Sequence, residues 1–293
     1  MGVETGFLRV NGSRIYYEDA GAGECLILIH GFACDTRVWD DQFDAFAKTH
    51  RVIRYDLPAF GRSDPPTGSY STLDDLDLMM GALGVETAWI VGLSVGGGLA
   101  VEFALAYPDR VRGLVLASTT LRRFPYSDDY IQLFLSYRRT ARREGLAAAK
   151  RNLLSSPLLK RLSDNPALVQ RAKAIVGNYN GFHWLHPDPH RVFYPPAIER
   201  LAEITVPTQV IVGQHDLADL HGVADRLAAG IPHAETIVMP GAGHMVNVEN
   251  PEQFNHAVLD FVRRGGRAEQ SQPQTRATGR ANTQGAHRRT SRA

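Results

Sequence analysis

Cys25-Leu26-Ile27-Leu28-Ile29 is an apolar run without a polar break. A segment so short and so uniformly apolar is expected where both faces of a sheet are covered, as in a parallel sheet flanked by helices. The neighbouring sequence repeats the theme. Residues 38–46 read as a helix with Val38, Trp39, Phe43 and Phe46 on one side. Further strands are expected at 51–55, 88–91 and 113–117, and helices at 72–83 and 95–106. Alternation of this kind predicts an α/β fold, a mostly parallel sheet with helices on both faces. Ahead of it, residues 13–18 alternate with period two after Asn11-Gly12, a hairpin signal that makes the sheet mixed.

From about residue 121 the pattern changes. No convincing strand occurs before residue 200; the stretch is rich in Leu, Ala and Arg and is broken at Pro157, Pro166, Pro187 and Pro195-Pro196. The α/β pattern then resumes with a strand at 208–212, a helix at 220–229, a strand at 235–239 and a last helix at 252–264. The expected organisation is therefore an α/β core from residues 1–120 and 201–265, interrupted by an all-helical insertion at 121–200. After Gly265-Gly266 the sequence loses periodicity, and residues 266–293 read as a disordered basic tail.

Composition narrows the function classes. The 293 residues are 44% hydrophobic and 22% charged, enough for a sizeable core without disulfides or a structural metal. Two cysteines, Cys25 and Cys34, exclude a disulfide framework and a Cys-rich zinc site. Neither a leader pattern nor an apolar run of about 18 residues is present, so a cytoplasmic protein without a membrane partner is expected. The net charge of +1 conceals fourteen Lys/Arg against six Asp/Glu at 121–200, and six arginines against one acid from residue 266 on. The tail lacks the aromatic residues that accompany basic ones in nucleic-acid binders, so a solvated surface is expected there and no nucleic-acid partner.

Four segments carry chemistry. Gly92-Leu93-Ser94-Val95-Gly96 lies between the apolar run Trp89-Ile90-Val91 and an apolar helical stretch, the setting in which a serine sits on a sharp strand-to-helix turn. Its hydroxyl needs a base oriented by a third group. His244, in Pro240-Gly241-Ala242-Gly243-His244, follows a strand and reaches the carboxyl edge of the sheet, where the serine turn also lies. Asp216 lies three residues beyond the strand ending near Gly213. Asp219 is its rival, although it reads as the N-cap of the helix starting at Leu220. His30-Gly31-Phe32 follows the strand 25–29. Elsewhere, Ser118-Thr119-Thr120 offers no carboxylate after the strand at 113–117. His183, His186, Asp188 and His190 could ligate a metal, but the intervening prolines break helical spacing.

With these pieces assembled, the chain resembles the α/β-hydrolase superfamily over residues 7–264. The resemblance rests on His30-Gly31-Phe32, the segment Tyr55-Asp56-Leu57-Pro58-Ala59-Phe60-Gly61-Arg62-Ser63, the Ser94 turn, Gly213-Gln214-His215-Asp216 and Gly241-Ala242-Gly243-His244. It implies a triad in the chain order Ser94, Asp216, His244, and an oxyanion hole from the backbone N–H groups of Phe32 and Val95. It also makes the insertion a cap over the site. No cofactor is implied.

Ser94 in place of an aspartate separates the chain from haloalkane dehalogenases and epoxide hydrolases. Meta-cleavage C–C hydrolases usually carry glycine and proline after the first His-Gly pair, where this chain has Phe32-Ala33-Cys34-Asp35. The region looks more like carboxylesterases, enol-lactonases and the hydrolase-fold signalling proteins that use their triad to sense ligands. The expected function is hydrolysis of a small-molecule carboxylic ester or lactone through an acyl-enzyme. The alternatives are C–C or other acyl hydrolysis, or a ligand sensor with slow turnover. Phe32, Phe182 and Trp184 are the expected apolar walls of the pocket. Paired arginines at 122–123, 138–139 and 142–143 are solvated faces or steer an anionic substrate. The physiological substrate and oligomeric state stay open.

Overall fold

The computed structural model describes residues 2–270. Eight strands form one sheet: β1 (Val3–Val10), β2 (Ser13–Ala20), β3 (Cys25–Ile29), β4 (Arg51–Tyr55), β5 (Ala88–Leu93), β6 (Val111–Ala117), β7 (Thr208–Gly213) and β8 (Glu235–Met239). Their order is β1-β2-β4-β3-β5-β6-β7-β8. The pairs β1–β2 and β2–β4 are antiparallel and every other pair is parallel, so the sheet is mixed as expected. Asn11 and Gly12 both take positive φ, 47° and 85°, the conformation a two-residue hairpin of right-handed twist requires.

Leu26, Ile27, Leu28 and Ile29 are wholly buried because helices cover both faces of the sheet. The first helical segment is split: a 3-10 turn at Thr36–Trp39 precedes α1 (Asp40–Phe46). Asp35 caps the turn by accepting the Arg37 N–H, and Val38, Trp39, Phe43 and Phe46 all face inward. Next come α2 (Thr72–Ala82), capped by Ser71, and α3 (Val95–Ala106). Between β6 and β7 the chain forms α4 (Asp128–Glu144), α5 (Leu146–Leu154), α6 (Pro166–Asn178) and α7 (Phe182–Leu185). Pro166 opens α6 behind an Asn165 cap instead of only ending its predecessor, as its fixed φ favours. The segment Pro157–Asp164 is a 3-10 stretch.

After β7 the chain adds α8 (Ala218–Gly230), α9 (Val246–Glu249) and α10 (Pro251–Gln270). Two expectations fail here. Leu217, not Asp219, is the N-cap of α8, and Asp219 lies within its first turn. The Asp219 carboxylate accepts from the Ser127 N–H at 2.6 Å and hydroxyl at 2.8 Å, where α4 begins. Nor does Gly265-Gly266 stop the last helix, which runs on to Gln270. A Cβ on Gly265 would come within 2.3 Å of the Trp89 ring, so the glycine serves close packing of α10 on β5. Residues 271–293 of the expected tail lie outside the described residues. Among the described residues no helix is long and apolar enough to cross a membrane.

Candidate active site

The carboxyl ends of β3, β5, β7 and β8 converge on one edge of the sheet. At the end of β5, Ser94 adopts φ 55° and ψ −115°. That strained conformation is held by its neighbours. The Ser94 N–H donates to the Ala117 carbonyl at 2.8 Å, and the Ser94 carbonyl accepts from Gly97, Gly98 and Thr120. Gly92 and Gly96 are obligatory for close approach: a Cβ on Gly92 would meet the Gly96 carbonyl at 2.4 Å, and one on Gly96 the Ile29 carbonyl at 2.2 Å. Ser94 is also the N-cap of α3 and makes no side-chain capping bond, so the first amides of that helix have no acceptor from it.

His244 and Asp216 meet as the spacing predicts. Nδ1 of His244 lies 3.2 Å from each carboxylate oxygen of Asp216, whose side chain is completely buried. The two loops are joined closely. Gln214 and His215 donate backbone N–H groups to Met239 and Ala242, and the Gln214 side chain accepts the Gly241 N–H. A Cβ on Gly213 would fall 2.0 Å from the Gly243 carbonyl, so a glycine is needed where β7 passes under the histidine loop. Asp219 points instead to Ser127, away from the His244 ring.

Glu249, absent from the sequence reading, holds the histidine loop from below. Its carboxylate accepts the N–H groups of Gly243 at 2.6 Å and Met245 at 3.0 Å, the residues on either side of His244. Burial pushes this carboxyl above its usual range, partly offset by those two donors and by His244. The available signal was a glutamate five residues after the histidine, but a bond to backbone leaves no partner side chain to look for.

His30 is structural. Fully buried, it bonds the Gly31 carbonyl through Nδ1 at 2.7 Å and accepts the Leu57 N–H at Nε2 at 3.0 Å. Burial lowers its pKa, in keeping with a neutral ring that donates at one nitrogen and accepts at the other. Asp56 fixes the facing loop by accepting from Thr36 and Arg62. Gly31 lies beside the Ser94 Cβ, so the loop carrying Phe32 borders the serine.

Two cavities open at this edge. The smaller, about 40 Å³, is bounded by Ser94, His244, Phe32, Cys34 and Met245, with leucines of the β6–β7 segment as its roof. The larger, about 500 Å³, extends past Val95 to Tyr70, Arg122 and His190. Phe32 and Phe134 border both. Of the expected apolar walls only Phe32 borders a cavity. Trp184 is buried behind it at 5.9 Å between centroids, and Phe182 packs on His183 and His186. Both lie on α7, whose side chains brace the wall instead of forming it. The described residues contain no cluster of three or more His, Cys, Asp or Glu side chains able to hold a metal.

A sequence profile of the alpha/beta hydrolase fold matches residues 24–251. A 2-hydroxy-6-oxononadienedioate/2-hydroxy-6-oxononatrienedioate hydrolase of Paraburkholderia phymatum is 33% identical, covering 85% of this chain and 91% of its own. Among solved structures, a thermophilic esterase from Thermogutta terrifontis superposes with a TM-score of 0.77 at 26% identity, over 89% of this chain and 99% of that one. The enol-lactonase from Burkholderia xenovorans LB400 gives 0.77 at 25% identity, over 88% and 100%. The profile match spans most of the chain and agrees with the strand order and the Ser94 turn, so this chain belongs to the alpha/beta hydrolase fold family.

Proposed function

We propose that the chain is a serine hydrolase that cleaves carboxylic esters or lactones. The observation that carries the reading is the His244–Asp216 pair: a ring bonded to a buried carboxylate, bordering the same cavity as a serine on a strained turn. In this reading His244 takes the Ser94 proton as Oγ attacks the carbonyl carbon. Asp216 fixes the ring tautomer and stabilises the imidazolium. The Phe32 and Val95 amides receive the developing oxyanion; one such donor contributes about 2.7–4 kcal/mol in comparable sites. His244 then protonates the leaving oxygen, and water repeats the sequence on the acyl-enzyme. Ser94 and His244 border one cavity, and hydrogen bonds between a serine and its base often tighten only with substrate present.

Relatives that are hydrolases, among them an esterase and an enol-lactonase, support the reaction class. The 33% identical relative is named for a dienedioate, which makes hydrolysis of such a compound a second reading. Treatment with a fluorophosphonate, followed by peptide mapping and a turnover screen over esters, lactones and a 2-hydroxy-6-oxo-dienedioate, tests both. Label on Ser94 and multiple turnovers on esters or lactones are expected. Turnover confined to the dienedioate would favour the second reading, and a single turnover leaving a persistent adduct would mark a sensor.

A further inference from the structure

The two cavities differ in size and in chemistry. Resting on the serine mechanism above, we propose that the substrate is a short-alkyl ester of a flat, conjugated or aromatic acid whose other substituents are uncharged hydrogen-bonding groups. The alkoxy group occupies the small cavity and the acyl group the large one.

The assignment of the two ends follows from the proton. When the tetrahedral adduct collapses, the bond from the acyl carbon to the alkoxy oxygen breaks and the Ser94 Oγ–acyl bond remains. The proton taken from Ser94 passes from His244 to the departing oxygen, releasing an alcohol. Water then attacks the acyl carbon, gives its proton to His244, and leaves the free acid with Ser94 Oγ reprotonated. The departing oxygen must therefore lie on the His244 side, and His244 borders only the small cavity. Leu158, Leu162 and Val176 narrow that space to about 40 Å³, room for a few waters, which suits a short alkyl group better than a long one. The acyl group extends the other way, past Val95.

The walls of the large cavity describe the acyl group. Phe60, Tyr70, Tyr126 and Tyr130 join Phe32 and Phe134, and Tyr126 stacks on Tyr130 at 4.4 Å and 10°. Such rings form flat boundaries that favour a planar guest over a coiled alkyl chain. At its polar end, Arg122 is paired with the Glu102 carboxylate at 3.2 Å, and Asp188 accepts the Tyr70 hydroxyl at 3.0 Å. Burial holds His183 at about 4 and lowers His190, so neither adds positive charge near neutral pH. One cation thus faces two carboxylates, an environment that repels a further carboxylate. Thr120 and the imidazoles offer partners to hydroxyl or keto groups instead.

The test compares kcat/KM for methyl, ethyl, butyl and hexyl 4-hydroxycinnamate, and for methyl 4-hydroxybenzoate against methyl 4-carboxybenzoate. Fluorophosphonate labelling is run on the same preparation. Methyl and ethyl esters are expected to exceed hexyl by at least about tenfold, and the hydroxy acid ester to exceed the carboxy ester similarly. Leu158→Ala should raise the hexyl-to-methyl ratio about tenfold, a change in selectivity that a general loss of stability does not produce. Ser94 labelling with a flat or inverted chain-length profile, or a preference for the carboxylate, overturns the proposal while sparing the serine mechanism. Failure of the wild-type protein to label overturns the mechanism beneath it.

Discussion

Asp216 and Asp219 lie three residues apart, one in the loop after β7 and the other in the first turn of α8, and their carboxylates meet different partners. Asp216→Asn would leave the His244 bond in place but present the wrong tautomer to Ser94, and kcat for ester hydrolysis should fall by about 10⁴ with a nearly unchanged denaturation midpoint. Asp219→Ala removes an acceptor from the Ser127 N–H at the start of α4. It should cost about 1–3 kcal/mol in a urea titration, as lost hydrogen bonds to a charged acceptor do, and leave kcat within a few-fold. The reverse pattern would exchange the two roles. Glu249→Gln leaves one oxygen to accept from either Gly243 or Met245 and turns an NH2 group toward the other amide, so the His244 loop should loosen. We expect a tenfold or greater loss in kcat, little change in KM, and an altered pH–rate profile. Ser94, Asp216 and His244 were legible because reactive side chains and their glycines follow strand ends in sequence. Glu249 was not, since its partners are backbone amides, and Trp184 was misread because aromatic character does not tell a wall from its support.

At the level of elements, boundaries were most legible where chemistry is local. Strands β3 and β4 and helix α3 have the limits expected from their apolar runs, whereas α10 passes through two glycines that read as a stop. Only the Trp89 ring explains that departure, and tertiary packing of this kind is invisible along the sequence. Helix α2 carries a prediction of its own. Asp75 accepts from Asn11 in the hairpin turn at 2.5 Å, and burial raises its pKa to about 6. Its folded value lies above the unfolded one, near 3.9. The associated stability is therefore fully present below about pH 4 and is lost as pH rises through 6, by about 2 kcal/mol once solvent screening is allowed for. Asp75→Asn should flatten this part of the pH–stability curve, as measured by urea melts at pH 4 and pH 7; an unchanged slope would refute the assignment. Gly96→Ala should destabilise by at least about 1–3 kcal/mol and abolish fluorophosphonate labelling, because the added Cβ collides with the Ile29 carbonyl at the Ser94 turn.

For the whole molecule, the β6–β7 segment packs over the sheet edge through Tyr179 and Trp184 on Phe32, and polar ties complete its rim. Arg37 reaches the Ala174 carbonyl, Arg171 the Arg37 carbonyl, Arg161 the Gly241 carbonyl, and Asp188 the Tyr70 hydroxyl. Ties of this kind open more readily than a sheet buried on both faces. Amide hydrogen exchange should therefore be faster in α5 and α6 than in β3 and β5, by orders of magnitude; equal protection would show that the molecule opens only as one unit. The contact between Trp89 and Gly265 bears on how such a molecule comes into being. The strand that leads into Ser94 is complete in the nascent chain by residue 93, but the surface against which the Trp89 ring packs is translated more than 150 residues later. Synthesis proceeds from the N-terminus, so the half-made polypeptide holds Ser94 without Asp216, His244 or Glu249. Activity should arrive late and all at once: ribosome-stalled chains ending at residue 200 or 240 should resist fluorophosphonate labelling, while the released full-length product accepts it.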